Sequence, residues 1–306
     1  MITQELLKNV IYETIHRAAT RISDDIDQSF RDAIAMETGI NSKNWLEKTY
    51  ENIIFAKDND CLACGDTGWP LFFVKIGDEV EIEGGISTFE SAAKEMVAKA
   101  TEDVYLRPTM KHPITGYDTK SNIGSNVPAF SYKHVPGDKL AITFVAKGGG
   151  SECFGGTRYQ MIAFADGKEG IMKFIIDSYI DGARSGKICP PSVIGVGIGG
   201  TMDLSAKLAK EASSLRVVGS RHPEPEIADL EETLTGAINK LGIGAGGFGG
   251  KVSCFGVNVE YAFSHIGGIG VSMAASCAIT RRATSVIGNG GGIETPQFPQ
   301  WFEGRD

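Results

Sequence analysis

The sequence lacks a long apolar run and an excess of positive charge. Its mean hydropathy is −0.07, and no stretch of about 18 apolar residues is present, so no transmembrane helix is expected. The N-terminal decapeptide MITQELLKNV has no apolar h-region, which argues against a secretory signal. Lys and Arg total 30 against 38 Asp and Glu, a net charge of −8, which argues against a nucleic-acid-binding surface. We therefore expect a cytoplasmic protein that binds neither membrane nor nucleic acid.

Closely spaced cysteine pairs are also scarce. Among the six cysteines of this 306-residue chain only Cys61 and Cys64 form a C-x-x-C, whereas a structural zinc site requires a second close pair. A thioredoxin-type pair opens a helix, but here the turn sequence GDTGWP follows. Cys254 lies in an apolar run and is expected in the core. Cys189 borders the Pro-containing segment GKICPP, and Cys277 lies in AASCAITRR at the end of a predicted strand. Single cysteines far apart in sequence are typical of an iron–sulfur cluster assembled by the fold, with core packing as the alternative.

Glycine, in contrast, is abundant at 39 residues. Gly195, Gly197 and Gly200 match G-x-G-x-x-G between a predicted strand and a predicted helix, the dinucleotide fingerprint. The acidic residue expected about 20 positions later is absent, and Arg221 near that position would suit a 2′-phosphate. An NADP-dependent oxidoreductase is one hypothesis, and close helix–strand packing is the simpler interpretation. The KGGGS segment at 147–151 could direct backbone N–H groups at an anion or form a purely structural turn.

Apolar periodicity predicts a mixed α/β (α+β) fold in which β-sheets are flanked by helices after an N-terminal helical segment. Ser87 and Glu90 form a predicted capping box, and segment 106–130 shows no regular pattern, which is typical of functional or disordered loops. The predicted helices cover 4–20, 25–37, 41–57, 87–105, 168–185, 201–212 and 224–241. The predicted strands cover 71–77, 139–147, the apolar part of 189–200, 216–220, 254–263 and 267–276.

Several motifs occur in one order along the chain: Cys64–Gly68, Leu106–Pro108, Asn126–Pro128, Lys147–Glu152, Cys189–Pro191, Gly219–Pro223, His265, Cys277 and Arg281–Arg282. From about residue 5 to 285 the chain resembles the α subunit of the class I fumarase and L(+)-tartrate dehydratase family, which is also the N-terminal part of single-chain class I fumarases. The resemblance implies a hydro-lyase domain at 1–287, followed by a glycine-rich tail at 288–306. It also implies reversible removal of water from a 2-hydroxy dicarboxylate, either L-tartrate to oxaloacetate or malate to fumarate.

The resemblance further implies a [4Fe–4S] cluster held by Cys64, Cys189 and Cys277. The fourth iron would stay open to the substrate and act as a Lewis acid. Asp66 matches an active-site acid that takes part in proton transfer, with capping of its own turn as the alternative. The remaining site residues match substrate-binding positions of the family: Gly65, Arg107, Gly149, Gly150 and His265. An arginine can bind a carboxylate bidentately, and the alternative for Arg107 is a surface ion pair.

The chain departs from the family at two positions and at its end. Gly65 stands where the family often has Gln, and Cys153 stands where it often has Asn, so the identity of the dicarboxylate stays open. The sequence stops at Asp306, where single-chain enzymes continue into a second domain with further active-site residues. The resemblance therefore implies a β subunit of roughly 200 residues, the size of one domain, and an α2β2 assembly.

Overall fold

Helices and strands are interspersed along the chain, which confirms the mixed α/β fold with an N-terminal helical segment. The structure is a computed structural model that describes residues 1–153, 156–186 and 188–303. The helices are α1 (Gln4–Thr20), α2 (Asp24–Met36), α3 (Ile40–Asp58), α4 (Ser87–Glu102), α5 (Gly149–Cys153), α6 (Gly167–Arg184), α7 (Met202–Leu215) and α8 (Pro225–Lys240). The strands are β1 (Trp69–Gly77), β2 (Ala129–Val135), β3 (Lys139–Lys147), β4 (Thr157–Ile162), β5 (Ser192–Ile198), β6 (Cys254–Tyr261), β7 (Ile269–Ser276), β8 (Arg281–Gly288) and β9 (Ile293–Glu294).

The chain forms two compact units. The first unit comprises Met1–Asp24, Ile53–Lys147 and Arg281–Asp306, and the second comprises Asp25–Asn52 and Gly148–Thr280. The first unit contains a sheet with the strand order β2-β1-β3-β8-β9. Strands β1 and β2 run parallel, and the other neighbours run antiparallel. Helices α1 and α4 pack on each other, and α1 also packs on β3 and β8.

The core of the first unit follows from the two periodicities of its elements. Residues at helical spacing bury one stripe of α1, and alternate residues of β1 face the same cluster. The Phe72 ring lies 6.1 Å from Phe89 on α4 and 5.1 Å from Phe144 on β3, measured between ring centroids. Because each buried side chain of this size contributes about 1.5–3 kcal/mol, this aromatic group holds α4 to the sheet.

The C-terminal tail covers residues on the other face of β1. Trp301 is 3% exposed, and its ring packs edge-on against Phe73 at 5.4 Å. The Lys133 ammonium lies 4.3 Å from the centre of the Trp301 ring, and Lys75 donates a hydrogen bond to the Gln300 carbonyl. Trp301 is therefore folded back onto the sheet of the first unit.

The second unit contains a sheet with the strand order β4-β7-β5-β6. Strands β5 and β6 run parallel, whereas β7 runs antiparallel to both β4 and β5. Helix α7 packs on β5 and β7, and α8 packs on β6. The core is mainly aliphatic, with the Tyr179 hydroxyl donating to the Ser253 carbonyl. No helix in the described part of the chain has both the length and the apolar character needed to cross a membrane.

The predicted helices are confirmed to within a few residues, but the predicted capping box is wrong. Ser87 is the first residue of α4, and the N-cap position falls on Ile86, which makes no side-chain cap hydrogen bond. Thr88 Oγ1 instead donates to the Gly85 carbonyl at 2.8 Å, so a local turn precedes the helix.

The predicted strand at 216–220 is also wrong. Ser220 donates to the Val217 carbonyl from both its amide, at 3.0 Å, and its hydroxyl, at 2.6 Å. Gly219 adopts a positive φ of 86°, which closes a turn. Arg216 is only 6% exposed because its guanidinium pairs with Glu260 at 2.8 Å. The two valines therefore form part of a turn rather than a strand. The charged residue directly before this turn, Arg216, is buried because it forms an ion pair.

Candidate active site

The turn that carries Cys64 lies at one end of the sheet in the first unit. Strand β1 begins just after this turn, β3 ends at Lys147 and β8 begins at Arg281. The register pairs Trp69 with Lys147 and Ala146 with Arg281, so these termini share one end of the sheet. Cys64 is partly exposed, whereas Lys147 and Arg281 are 2% and 3% exposed. This end of the sheet therefore combines a cysteine with buried positive charge.

The Arg281 guanidinium binds the main chain of the cysteine turn. It donates to the carbonyl oxygen of Asp66 and, at 3.5 Å, to that of Cys64. Its Nε is buried and has no hydrogen-bond partner among the described residues. Burial of a charge is costly unless a partner neutralises it, so this side chain favours an anionic group beside the turn. The sequence showed Arg281 only as part of a motif, and its signal was a charged residue opening an apolar strand.

Arg107 lies beside the same turn. The main-chain N–H of Arg107 donates to Thr67 Oγ1 at 2.9 Å, and Nη1 of its side chain donates to the Gly65 carbonyl at 2.6 Å. The side chains of Arg107 and Asp66 are exposed. The first unit thus brings together four predicted site residues: Cys64, Gly65, Asp66 and Arg107. Arg107 binds a backbone carbonyl rather than a surface carboxylate.

Asn122 organises the segment after Arg107 and was not predicted as a site residue. It is 2% exposed and adopts a positive φ of 59°. Its Nδ2 donates to the Arg107 carbonyl at 2.8 Å, and its Oδ1 accepts from the amides of Thr109 at 2.8 Å and Met110 at 3.2 Å. The long irregular segment is therefore held by a buried side chain, which is typical of an ordered functional loop.

The second unit brings the other two predicted ligands together. Cys189 precedes β5 and Cys277 follows β7, and the antiparallel register pairs Val193 with Ser276. Both cysteines therefore lie at the same end of the sheet. The Ala278 amide donates to the Cys189 carbonyl at 3.0 Å, which ties the two turns directly. Cys189 is exposed and Cys277 is partly exposed.

The KGGGS segment ends in a short helix. Gly149 and Gly150 begin α5, and the Ser151 hydroxyl donates to the Gly148 carbonyl at 3.0 Å. Glu152 of the same helix pairs with Lys210 at 2.5 Å. The first N–H groups of a helix point along its axis and carry partial positive charge. Gly149 and Gly150 thus form the first turn of a five-residue helix rather than an open turn.

His265 lies in the exposed loop between β6 and β7. Its Nδ1 accepts a hydrogen bond from the Gly267 amide at 3.0 Å. A neutral imidazole whose Nδ1 accepts carries its proton on Nε2, so the neutral ring presents Nε2–H as a donor. This is the group that would bind a carboxylate or hydroxyl oxygen.

All six cysteines are described, and each is a thiol rather than half of a disulfide. Within the described ranges, no three His, Cys, Asp or Glu side chains form a group that could hold a metal ion. Burial raises the pKa of Cys254 to about 12, so this thiol resists the deprotonation that metal binding requires. The three predicted ligands are accessible thiols, with Cys64 in the first unit and the other two in the second. Their donor chemistry fits an iron–sulfur cluster, and the buried Arg281 Nε beside the Cys64 turn favours its negative charge.

The glycines of the G-x-G-x-x-G motif contact helix α7. A Cβ on Gly195 would lie 2.0 Å from the Ala209 carbonyl oxygen, and one on Gly197 would lie 1.9 Å from that of Ser205. The amides of Gly199 and Gly200 donate to backbone carbonyls, at 2.7 Å and 3.3 Å, and so are not directed at a pyrophosphate. The geometry favours close packing over nucleotide binding.

Substituting Gly197 by alanine should lower the free energy of unfolding by about 1–3 kcal/mol, the usual cost of overpacking. The new methyl would force α7 away from β5. Urea unfolding measures the change. Gly236→Ala is the matched control, since a Cβ there meets nothing within 4 Å and the residue lies inside α8. The control should stabilise the protein by about 0.4–1 kcal/mol. Equal effects of the two variants would contradict the packing role.

The family model described as fumarate hydratase (fumerase) matches residues 8–286. The chain belongs to the fumarate hydratase family. It is 38% identical over 283 residues to the putative L(+)-tartrate dehydratase subunit alpha of Methanocaldococcus jannaschii, covering 92% of this chain and 97% of that protein. It is 34% and 33% identical over 270 residues to the L(+)-tartrate dehydratase alpha subunits of Escherichia coli and Shigella sonnei, covering 88% of this chain and 86% of each relative.

Membership of the fumarate hydratase family confirms the resemblance inferred from the ordered motifs. The family name is that of a hydro-lyase, an enzyme that adds or removes water. The names of these relatives describe one subunit of an enzyme, so those proteins act with a partner subunit. The matched region includes all the cysteine turns and both arginines that bind the Cys64 turn. Neither the matches nor the packing of α7 supports the NADP-dependent alternative.

Proposed function

We propose that this chain is the α subunit of an iron–sulfur hydro-lyase that reversibly removes water from a 2-hydroxy dicarboxylate. L-tartrate to oxaloacetate is the favoured reaction, and malate to fumarate is the second. The observation that carries the proposal is the Cys64–Asp66 turn, which is bound by Arg107 and by the buried Arg281. A turn that carries a cysteine and an acid, and that two arginines bind, combines the functional groups that dehydration of a dianion requires.

Cys64, Cys189 and Cys277 would hold a [4Fe–4S] cluster. When bound, the cluster would supply a Lewis-acidic iron that weakens the substrate C–O bond. Arg281 would contribute from this chain by fixing the Cys64 main chain and placing a buried positive charge beside it. The hydrogen bond between Ala278 and Cys189 would keep the other two thiols in register.

Arg107 and His265 would bind the dianionic substrate. The Arg107 fork can grip one carboxylate bidentately, while its Nη1 contact with Gly65 orients the guanidinium. Gly149 and Gly150 would direct the start of α5 at a carboxylate, and Nε2 of a neutral His265 would donate to an oxygen.

Asp66 would accept the proton from the carbon next to the leaving hydroxyl. Its carboxylate is exposed, and its main chain is fixed by Arg281, so the acid is both accessible and held in place. General base catalysis of this kind typically contributes 10²–10⁴-fold. In the hydration direction the same group would return the proton.

The remaining active-site groups would come from a β subunit of roughly 200 residues, the size of one domain, within an α2β2 assembly. The proposed hydro-lyase domain spans 1–287, and the tail 288–306 lies outside it. Cluster ligation requires reduced thiols, a condition that the cytoplasm provides.

Anaerobic purification of the chain together with its partner subunit, followed by iron and sulfide analysis, tests the proposal. We expect a coloured protein with close to four iron atoms per chain, the composition of one [4Fe–4S] cluster, and loss of activity in air. Parallel assays with L-tartrate and malate identify the substrate. A colourless, iron-free protein after anaerobic reconstitution would contradict the proposal.

A further inference from the structure

The glycine-rich segment between α8 and β6 takes no part in the site described above. Its main chain turns sharply, with positive φ at Gly244, Gly246, Gly247 and Gly249. The Gly249 and Gly250 amides donate back to the carbonyls of Ile243 at 2.8 Å and Gly242 at 3.2 Å. The segment, hereafter the glycine loop (242–252), is therefore an ordered structure held by its own hydrogen bonds.

The buried carboxylate of Glu37 closes the glycine loop. Glu37 is 2% exposed, and its oxygens accept from the amides of Lys251 at 2.9 Å and Val252 at 3.2 Å. They also accept from the amides of Thr38 at 2.8 Å and Gly39 at 2.9 Å, just after α2. Burial raises the pKa of Glu37, but these backbone hydrogen bonds outweigh burial and leave the pKa below its usual value. The ionised carboxylate thus ties the end of α2 to the end of the loop.

The close approach of the Glu37 carboxylate explains one of the glycines. A Cβ on Gly250 would lie 2.5 Å from Glu37 Oε2, closer than non-bonded atoms allow. A second anchor comes from α3, where the Ser42 hydroxyl donates to the carbonyls of Ala245 at 3.2 Å and Gly249 at 2.5 Å. The loop is therefore fixed from both helices that flank the α2–α3 corner.

The middle of the glycine loop binds the turn that carries Cys189. The Gly246 amide donates to the Pro190 carbonyl at 3.0 Å, and Pro190 follows Cys189 directly. The Cys189 carbonyl in turn accepts from the Ala278 amide at 3.0 Å, next to Cys277. Hydrogen bonds and short lengths of main chain thus connect the Glu37 carboxylate, through the glycine loop, to both cysteine turns of the second unit.

We propose that Glu37 is a positioning residue for Cys189 and Cys277, acting through the glycine loop. The identity of these cysteines as cluster ligands rests on the proposed function, whereas the coupling between Glu37 and their turns concerns the polypeptide alone. Four amides converge on the carboxylate, and the loop that they fix donates a hydrogen bond to the Cys189–Pro191 turn. Loss of the carboxylate would therefore loosen that turn before it unfolds the sheet.

Glu37→Gln tests this role, because the amide keeps the shape but directs N–H donors at backbone N–H donors. Hydrogen exchange in the metal-free full chain should accelerate about 10-fold at Gly246 and Ala278, the factor that matches ~1.4 kcal/mol of local opening. Exchange in β3 of the first unit should stay unchanged. Asp32→Asn, at an exposed position on α2, the helix that directly precedes Glu37, is the matched control and should leave both regions as in the wild type.

The second readout is the electron paramagnetic resonance spectrum after anaerobic reconstitution and one-electron reduction with dithionite, because the [4Fe–4S] cluster gives a signal only in its reduced form. In the Glu37→Gln variant the cluster signal should be broader than in the wild type. The variant should also lose its iron faster than the wild type does. Gly197→Ala, which destabilises the same unit without touching the loop, should keep the wild-type spectrum.

Wild-type exchange at Gly246 in a folded Glu37→Gln variant would overturn the proposal. If that variant does not fold, Ser42→Ala replaces it with the same expected and contradicting results. If the wild type takes up no iron, the proposed function is refuted. The hydrogen-exchange result would still decide whether Glu37 is coupled to the Cys189 and Cys277 turns.

Discussion

Cys189→Ser should abolish the cluster and lower hydro-lyase activity by at least about 100-fold. A metal ligand must be deprotonated, and a serine hydroxyl at neutral pH remains protonated where a cysteine thiol near iron does not. Even residues that only support a ligand cost 10–100-fold when they are changed, so loss of the ligand itself should cost more. Iron and sulfide analysis and anaerobic assays with L-tartrate and malate measure the effect.

Cys61→Ser is the control for this prediction. Cys61 is exposed, like Cys189, and belongs to the C-x-x-C with Cys64, but it does not match a ligand position of the family. Its substitution should leave iron content and activity within about twofold, the usual scale of surface changes. Retention of iron and activity in Cys189→Ser would show that the ligand assignment is wrong. Loss of activity in Cys61→Ser would instead indicate a redox role for the pair.

Arg107→Lys should reduce kcat/KM by about 100-fold, mainly through a higher KM. Lysine keeps the charge but lacks the planar fork that binds a carboxylate bidentately. Each hydrogen bond to a charged group contributes about 1.5–3 kcal/mol, so loss of one arm of the fork corresponds to a factor of 10 to 100. The lysine also loses the hydrogen bond from Arg107 Nη1 to the Gly65 carbonyl, which orients the side chain.

Steady-state kinetics with the natural dicarboxylate and with its monoamide measure this second effect. The wild type should discriminate strongly between the two substrates, and Arg107→Lys should discriminate less. Arg221→Lys is the matched control, because Arg221 is exposed and pairs with Glu232 at 2.9 Å; its kinetics should match the wild type. An unchanged KM in Arg107→Lys would place the substrate carboxylate elsewhere.

The helices could be predicted from the sequence because their apolar stripes follow the helical period. The strands were harder to predict. Strands β2 and β4 lie at sheet edges, where most side chains are at least partly exposed and the two-residue alternation is weak. Strand β8 begins with two arginines that read as polar, although both are buried. Its place between β3 and β9 depends on pairing across the chain, which local periodicity does not encode.

Some residues of the candidate site could likewise be predicted from the sequence, and others could not. The resemblance located the cysteines, Asp66 and Arg107 because each lies in a short motif. Thr67 acts on a residue 40 positions away, and Arg281 acts on one 217 positions away, so neither role is visible in a local pattern. Asn122 was hidden in a segment without regular structure, and Glu37 in an apparently ordinary helix end.

The first unit is assembled from three separate segments of the chain, and this arrangement sets an order of synthesis. Strand β3 pairs with β8, which emerges from the ribosome after the whole of residues 148–280. Every residue of the second unit precedes β8, so that unit is complete before the first sheet can close. We therefore expect the second unit to fold during translation, while β3 awaits its partner and is exposed to chaperones and misassembly.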